Sequence, residues 1–503
     1  MIRARLFFWF INLITVSAFS FNSVAQGFGW AQGFIPSGTS NGTAGIGRIA
    51  FDANNNIYTV GGVAGTLDVD QSSNVYNVSS VGNAALFVLK QDASGNFQWV
   101  KEFQCKSASN FGFIGTVGIA IDFAGYIYLS GAFYDTVDFD PGPGEYYLSA
   151  VSLHPNIAVV KLSPSGDFVW AKQIGGNTNT SALGWRDMKI DKRGVYIIGA
   201  FGGTIDVDPG PATINMSPIG TPNAMLIERL DTAGNYLWAK QINGGSALGL
   251  YVDTFSNLYL TGAFNNTVDF DPDAPIAHLV SNGNSDIFIA KLDSLANYQW
   301  ARAVGGPGSD MAQGIAVDNF GNVIVTGYYA GGTVDFDPGL GVYNITGSSR
   351  DMFTLRLRGN GDFAWAKSVS PMGNDDGRAV TTDTQGNVYT TGEFFSPADF
   401  DPGPGVYELQ GGVYVQKLDS AGNFVWARSW DADIPGWIGM DYSGDIYVTG
   451  SFNGVVDFDP GPGVFTLNGS NAGFIQKLCG SSLPLTAVED TICLGATTHS
   501  PGE

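Results

Sequence analysis

The chain has 503 residues, 44% of them hydrophobic, with 69 glycines and only 14% charged side chains. Its formal net charge is −22, from 46 acidic against 24 basic residues, so its exterior repels nucleic acid and anionic membranes. Three cysteines without a CxxC spacing exclude a disulfide framework and a paired-cysteine metal site, and with three histidines (His154, His278, His499) histidine catalysis is all but excluded.

The N-terminus reads MIRARLFFWFINLITVSAFSFNSVAQ. Arg3 and Arg5 precede an apolar run from Leu6 to Phe19, and Ser23 and Ala25 are spaced as a small-residue cleavage site. This predicts a signal peptide over 1–25, cut after Ala25, and a chain that is secreted or held at the outer cell surface. No later window has the 18 apolar residues of a spanning helix, so no membrane span is expected in the mature chain.

From there a unit repeats. Tryptophan marks it at Trp30, Trp99, Trp170, Trp238, Trp300, Trp365 and Trp426, 396 residues over six intervals, a mean period of 66. A second marker, of the form NVYTTGEF from Asn387, also occurs seven times. Each unit reads as four strands. A short apolar strand ends in aspartate (Asp52, Asp122, Asp191, Asp253, Asp318, Asp383, Asp441), and a Gly/Asn turn leads to the alternating second strand. An acidic corner such as VDFDPGPG (Val137 to Gly144) follows, then a third strand such as Tyr414 to Asp419, a second turn and the tryptophan strand. Four antiparallel strands repeated seven times predict an all-β, seven-bladed β-propeller over 26–480. The mature chain begins with a fourth strand, FGWAQ, and the repeats end on a third, FIQKL. The N-terminal strand is therefore expected to complete the last blade and remove an open edge.

The GNVYTTG, KLDSAGNFVWAR and DFDPGPG runs resemble the SBBP-type repeats of secreted bacterial β-propeller proteins, over about Gly27 to Leu478. The resemblance implies the fold and no catalytic residue. The tail 481–503 lacks the repeat markers, and TICLGATT looks like the truncated start of an immunoglobulin-like repeat. Cys479 and Cys493 could pair in an oxidising compartment, and Cys105 reads as a buried free thiol.

The corners put two aspartates at i and i+2, hence on one side of a strand. The pairs are Asp68 and Asp70, Asp138 and Asp140, Asp206 and Asp208, Asp269 and Asp271, Asp335 and Asp337, Asp399 and Asp401, and Asp457 and Asp459. Paired carboxylates beside free carbonyls make them candidate Ca²⁺ ligands. The competing and favoured reading is that each aspartate caps a turn of the fold. No other cofactor is indicated. Symmetry is broken in the links between blades, where Trp185, Arg186, Trp430, Trp437, Asp375 and Asp376 are candidate ligand-binding residues. Tryptophan beside acids suits sugar rings; packing inside the channel is the plainer role for these tryptophans. Two functions are expected to compete. One is a non-enzymatic, monomeric binding or adhesion module for a glycan or surface protein. The other is a carbohydrate-active hydrolase or lyase using Asp375, Asp376 and Glu393.

Overall fold

The computed structural model describes residues 27–37, 42–80, 85–104, 113–150, 155–175, 182–273, 277–370 and 373–480. The expected signal segment, the tail 481–503 with Cys493, and Cys105 lie outside them. Among the described residues every regular element is a strand, and seven antiparallel sheets have four strands each. In blade 2 the strands Phe113–Ile121, Ile127–Phe133, Asn156–Leu162 and Phe168–Ile174 are hydrogen-bonded in sequence order. The first strands of blades 1 and 3 to 7 are Thr43–Phe51, Ala182–Asp191, Ser246–Val252, Met311–Val317, Asp376–Thr382 and Ile434–Met440. Each first strand touches that of the next blade, and Ile434–Met440 touches Thr43–Phe51, so they line a central channel. Phe28–Phe34 pairs with Thr466–Leu478, Ala31 opposite Gln476, and supplies the fourth strand of the sheet that ends the repeats.

The middle strands are buried on both faces because each face meets a neighbouring blade; Ala224–Leu230 and Leu258–Phe264 are buried throughout. The turns are built by side chains. Asp122 Oδ1 accepts the N–H groups of Ala124 and Tyr126, both at 2.9 Å. Gly125 closes that turn at φ +82°, a conformation that side chains resist. The buried Tyr128 hydroxyl donates to Asp122 Oδ2 at 3.3 Å. Five other blades repeat this tyrosine contact. Blade 5 has Ile324 in its place, and there Arg356 pairs with Asp318. The first-strand aspartates are therefore engaged by their own turns and strands. Cys479 is buried and disulfide-bonded, with its partner outside the described residues.

Candidate functional site

The acidic corner is one device made seven times. Asp138 Oδ1 accepts Asp140 N–H at 3.1 Å and Tyr146 N–H at 2.9 Å, which ties the two arms of the loop together. Asp140 Oδ1 accepts Gly142 N–H at 2.8 Å. The first aspartates Asp68, Asp206, Asp269, Asp335, Asp399 and Asp457 repeat the double bond. The second aspartates Asp70, Asp208, Asp271, Asp337, Asp401 and Asp459 repeat the single one. A Cβ at Gly144 would stand 2.3 Å from Asp140 Oδ2, so the loop wraps the carboxylate closely enough to require glycine. Phe139 points the other way, fully buried, with its ring centroid 5.3 Å from that of Phe133 and 6.3 Å from that of Phe103 in blade 1. Among the described residues no group of three or more His, Cys, Asp or Glu side chains is placed to hold a metal ion.

Corners and links do share one end of the sheets. Gly175, just past the fourth strand of blade 2, bridges to corner Asp206 of blade 3, and Gly305 bridges to Asp335 in the same way. The candidates placed in links sit otherwise than expected. Trp185, Trp437 and Asp376 lie inside first strands, and Trp430 ends a fourth strand. The first strand extends further toward its N-terminus than the apolar run suggests, because it continues to pair beyond a β-bulge. Trp430 is buried and donates its indole N–H to Phe458 O at 3.0 Å. Trp185 is buried and donates to Ser130 Oγ at 2.7 Å. Neither offers an exposed stacking face. Trp437 is half-buried and Arg186 is exposed.

Two of the three candidate acids are joined through arginines, and the third is buried beside them. Asp376 Oδ2 is 2.5 Å from Arg350 Nη2 and 3.6 Å from Arg378 Nη2, and Arg378 Nη2 reaches Glu393 Oε1 at 2.7 Å. Asp375 is fully buried and accepts Phe395 N–H at 2.9 Å. Burial pushes its carboxyl up to about 6, with Asp351, Asp376 and Glu393 adding repulsion. A carboxyl without solvent contact cannot meet a sugar in this arrangement.

The bulge organises the channel. All seven first strands are interrupted at the same register. The residue gained there is Gly47 in blade 1 and Arg186, Leu248, Gln313, Arg378 and Gly436 in blades 3 to 7, and blade 2 has a wider break before Gly118. Gln313 Oε1 accepts from Arg378 Nη1 at 3.4 Å across two blades. The next residue is small in four blades: Gly118, Gly249, Gly314 and Ala379. A Cβ at Gly314 would come 2.9 Å from the Ala379 Cα of the next blade, which is why the position is small. The other three blades place Arg48, Asp187 and Trp437 there. These large side chains converge. Arg48 Nη1 meets Asp187 Oδ1 at 2.5 Å, and the Arg48 guanidinium lies 3.9 Å from the Trp437 ring centroid. Asp187 Oδ2 accepts Leu250 N–H of blade 4 at 3.1 Å. Blades 7, 1, 3 and 4 are thus linked through one polar chain. Arg48, Asp187 and Lys189 were not singled out from the sequence. The signal was present: a charge where the aligned first strands carry Gly or Ala.

Fold and repeat chemistry together define a β-propeller repeat protein. Residues 299–328, from the fourth strand of blade 4 to the second of blade 5, match the SBBP β-propeller repeat, the repeat that the motifs resemble. The chain carries that repeat. An uncharacterised WD repeat-containing protein of Acanthamoeba polyphaga mimivirus is 25% identical over 370 residues, 61% of this chain. The match spans 26% of that relative's length. Among solved structures, the Dos1 propeller is 10% identical, with a TM-score of 0.37 over 90% of this chain and 95% of that one. A protein of unknown function from Dyadobacter fermentans is 12% identical, with a TM-score of 0.36 over 89% and 99%.

Proposed function

We propose that the chain is a non-catalytic binding propeller that takes its ligand, a glycan or a surface protein, at the channel end where the first strands bulge. The observation that carries this reading is where symmetry breaks. The seven corners are alike and engaged with their own backbone. The bulge residues differ from blade to blade, and Arg186, Leu248, Gln313 and Arg378 keep some exposure. Sites grafted on a repeat fold are sought where the repeats differ. The hydrolase or lyase reading has less support, since Asp375 and Asp376 are buried and Asp376 and Glu393 are held by arginines. We further propose that the protein works outside the cytoplasm. The charged and then apolar N-terminal sequence and a disulfide at Cys479 support this.

The test is a panel of soluble glycans and polysaccharides offered to the purified full chain. The reading expects saturable binding, substrates recovered intact, and weakening by Leu248→Glu and Arg378→Gln. Release of new sugar ends would establish an enzyme instead. Binding that ignores both variants would move the site off the bulge ring.

A further inference from the structure

Three first strands, two of them not neighbours of the third, send charge and an aromatic ring to one place in the channel. Arg48 of blade 1, Asp187 and Lys189 of blade 3 and Trp437 of blade 7 meet there. Lys189 Nζ is 3.5 Å from Asp187 Oδ1 and 5.6 Å from the Trp437 ring centroid. Arg48 Nη2 also donates to the carbonyl oxygen of Arg186 at 3.4 Å. Arg48 and Lys189 are two cations, and Asp187 is the one carboxylate bonded to both, with the exposed Arg186 next to it in the strand. That carboxylate is already used. Its Oδ1 accepts from Arg48, Lys189 and Met188 N–H, and its Oδ2 accepts from Leu250 N–H.

The neighbouring network at blades 5 and 6 supplies the contrast. There Arg350 and Arg378 face Asp376 and Glu393, with the buried Asp375 beside them, so the carboxylates are at least as many as the cations. The Arg48 cluster has an excess of positive charge instead, inside a protein whose net charge is −22. A desolvated cation without its own counter-charge is costly. Burial disfavours the charged forms of both Arg48 and Lys189, and Arg48 further disfavours that of Lys189. The place is also open: the Lys189 side chain keeps 31% of its exposure, Trp437 is half-buried, and Arg186 is exposed.

We propose that this cluster binds an oxyanion group, carboxylate or sulfate, carried by the ligand of the channel end, with Lys189 and Arg186 as its direct partners and Trp437 as the adjoining wall. This rests on the reading that the ligand enters at the bulge ring. The acidic exterior repels extended polyanions, so the oxyanion belongs to a ligand of low overall charge, such as a glycan with a single uronate or sulfated sugar. Arg48 positions the site by holding Asp187 on one side and Trp437 on the other.

The experiment titrates sodium sulfate and, separately, sodium glucuronate into the full chain at fixed ionic strength, with glucose as the neutral control. Tryptophan fluorescence reports the event, since Trp437 and Trp185 both flank Arg48. Saturation by either oxyanion and none by glucose is expected. Lys189→Met with Arg186→Gln should weaken it about tenfold or more, about 1.4 kcal/mol per decade. The exposed Arg186→Gln alone should show part of that loss without a change in the thermal melt. The two arms separate a sulfated from a carboxylated source. No saturation by either oxyanion, or equal affinity in the double variant, overturns the proposal. A neutral glycan that binds in a Leu248-sensitive manner while both oxyanions fail would overturn this site alone and leave the channel-end reading standing.

Discussion

Glu228 shows how one atom sets a protonation state. It lies opposite Ile197 in the third strand of blade 3 and is fully buried. At the same register, Gln416 donates its amide to Phe400 O at 2.7 Å and Gln476 donates to Phe458 O at 2.6 Å. Those carbonyls belong to the residue between the two corner aspartates, so the matching carbonyl in blade 3 is that of Val207. An ionised carboxylate has no hydrogen to give it; a protonated one has. Burial first, then Asp208 and Asp206, hold the Glu228 carboxyl well above its usual range. Tyr236 is the other titratable group that feels it. A raised folded pKa means stability that is complete below the unfolded value of about 4.3 and is lost as pH rises toward the folded value. Glu228→Gln should therefore stabilise the chain at neutral and alkaline pH, by about 1–2 kcal/mol, with the gap closing near pH 4. Urea midpoints of both proteins across that range check this; parallel profiles would refute it. Asp138 is argued in the same way. Asp138→Ala orphans the N–H groups of Asp140 and Tyr146 and should cost about 1–3 kcal/mol, while Asp138→Asn keeps an acceptor and costs less. The turn role also expects the melt of the chelator-treated chain to ignore added Ca²⁺. A calcium-dependent rise would return the corner pairs to the metal reading.

The strand Phe28–Phe34 is the element on which the seam depends. It is 7 residues long, pairs on one side only, and is separated from its partner by more than 400 positions of sequence. Phe34 is fully buried among Ala44, Ile46 and Val63 of blade 1 and Ile475 of blade 7. Phe34→Ala should cost about 3–5 kcal/mol, the usual range for a buried aromatic. Hydrogen exchange should locate the loss. The amides of Thr466–Leu478 should lose protection before those of Leu258–Phe264, whose blade has all its strands from one stretch of chain. Equal loss in both would mean that the ring opens as one unit.

Across the channel, the Arg48–Asp187 pair ties together first strands that are two blades apart. Asp187→Ala leaves Arg48 and Lys189 without their counter-charge and should cost about 3–5 kcal/mol, whereas Arg48→Ala leaves Asp187 paired with Lys189 and should cost less. The apolar double variant Arg48→Met with Asp187→Leu should recover part of that loss, because it removes both charges together. A double-mutant cycle from thermal or urea unfolding measures the coupling. Additive losses would show that the pair contributes nothing as a pair. No helix among the described residues is long and apolar enough to cross a membrane.

Much was legible from the chain alone. The period, the four strands of each unit and the N-terminal strand as the missing fourth strand are local patterns: alternation, turn residues and markers of fixed spacing. Hydrophobic periodicity and φ preference act over a few residues, so a sequence displays them directly. The capping role of the aspartates was also visible, since Asp bonds backbone two residues on. What only the tertiary structure decided is which unlike residues meet. The bulge extends the first strand and carries Trp185 into the core, which decides between packing and an exposed stacking face, two roles that the sequence left open. Arg48 and Asp187 are 139 positions apart and come together because closing a ring places the same register of every first strand around one axis. Side chains at that register are then neighbours through space, whatever their distance in sequence, and their charges are balanced or left unbalanced only there.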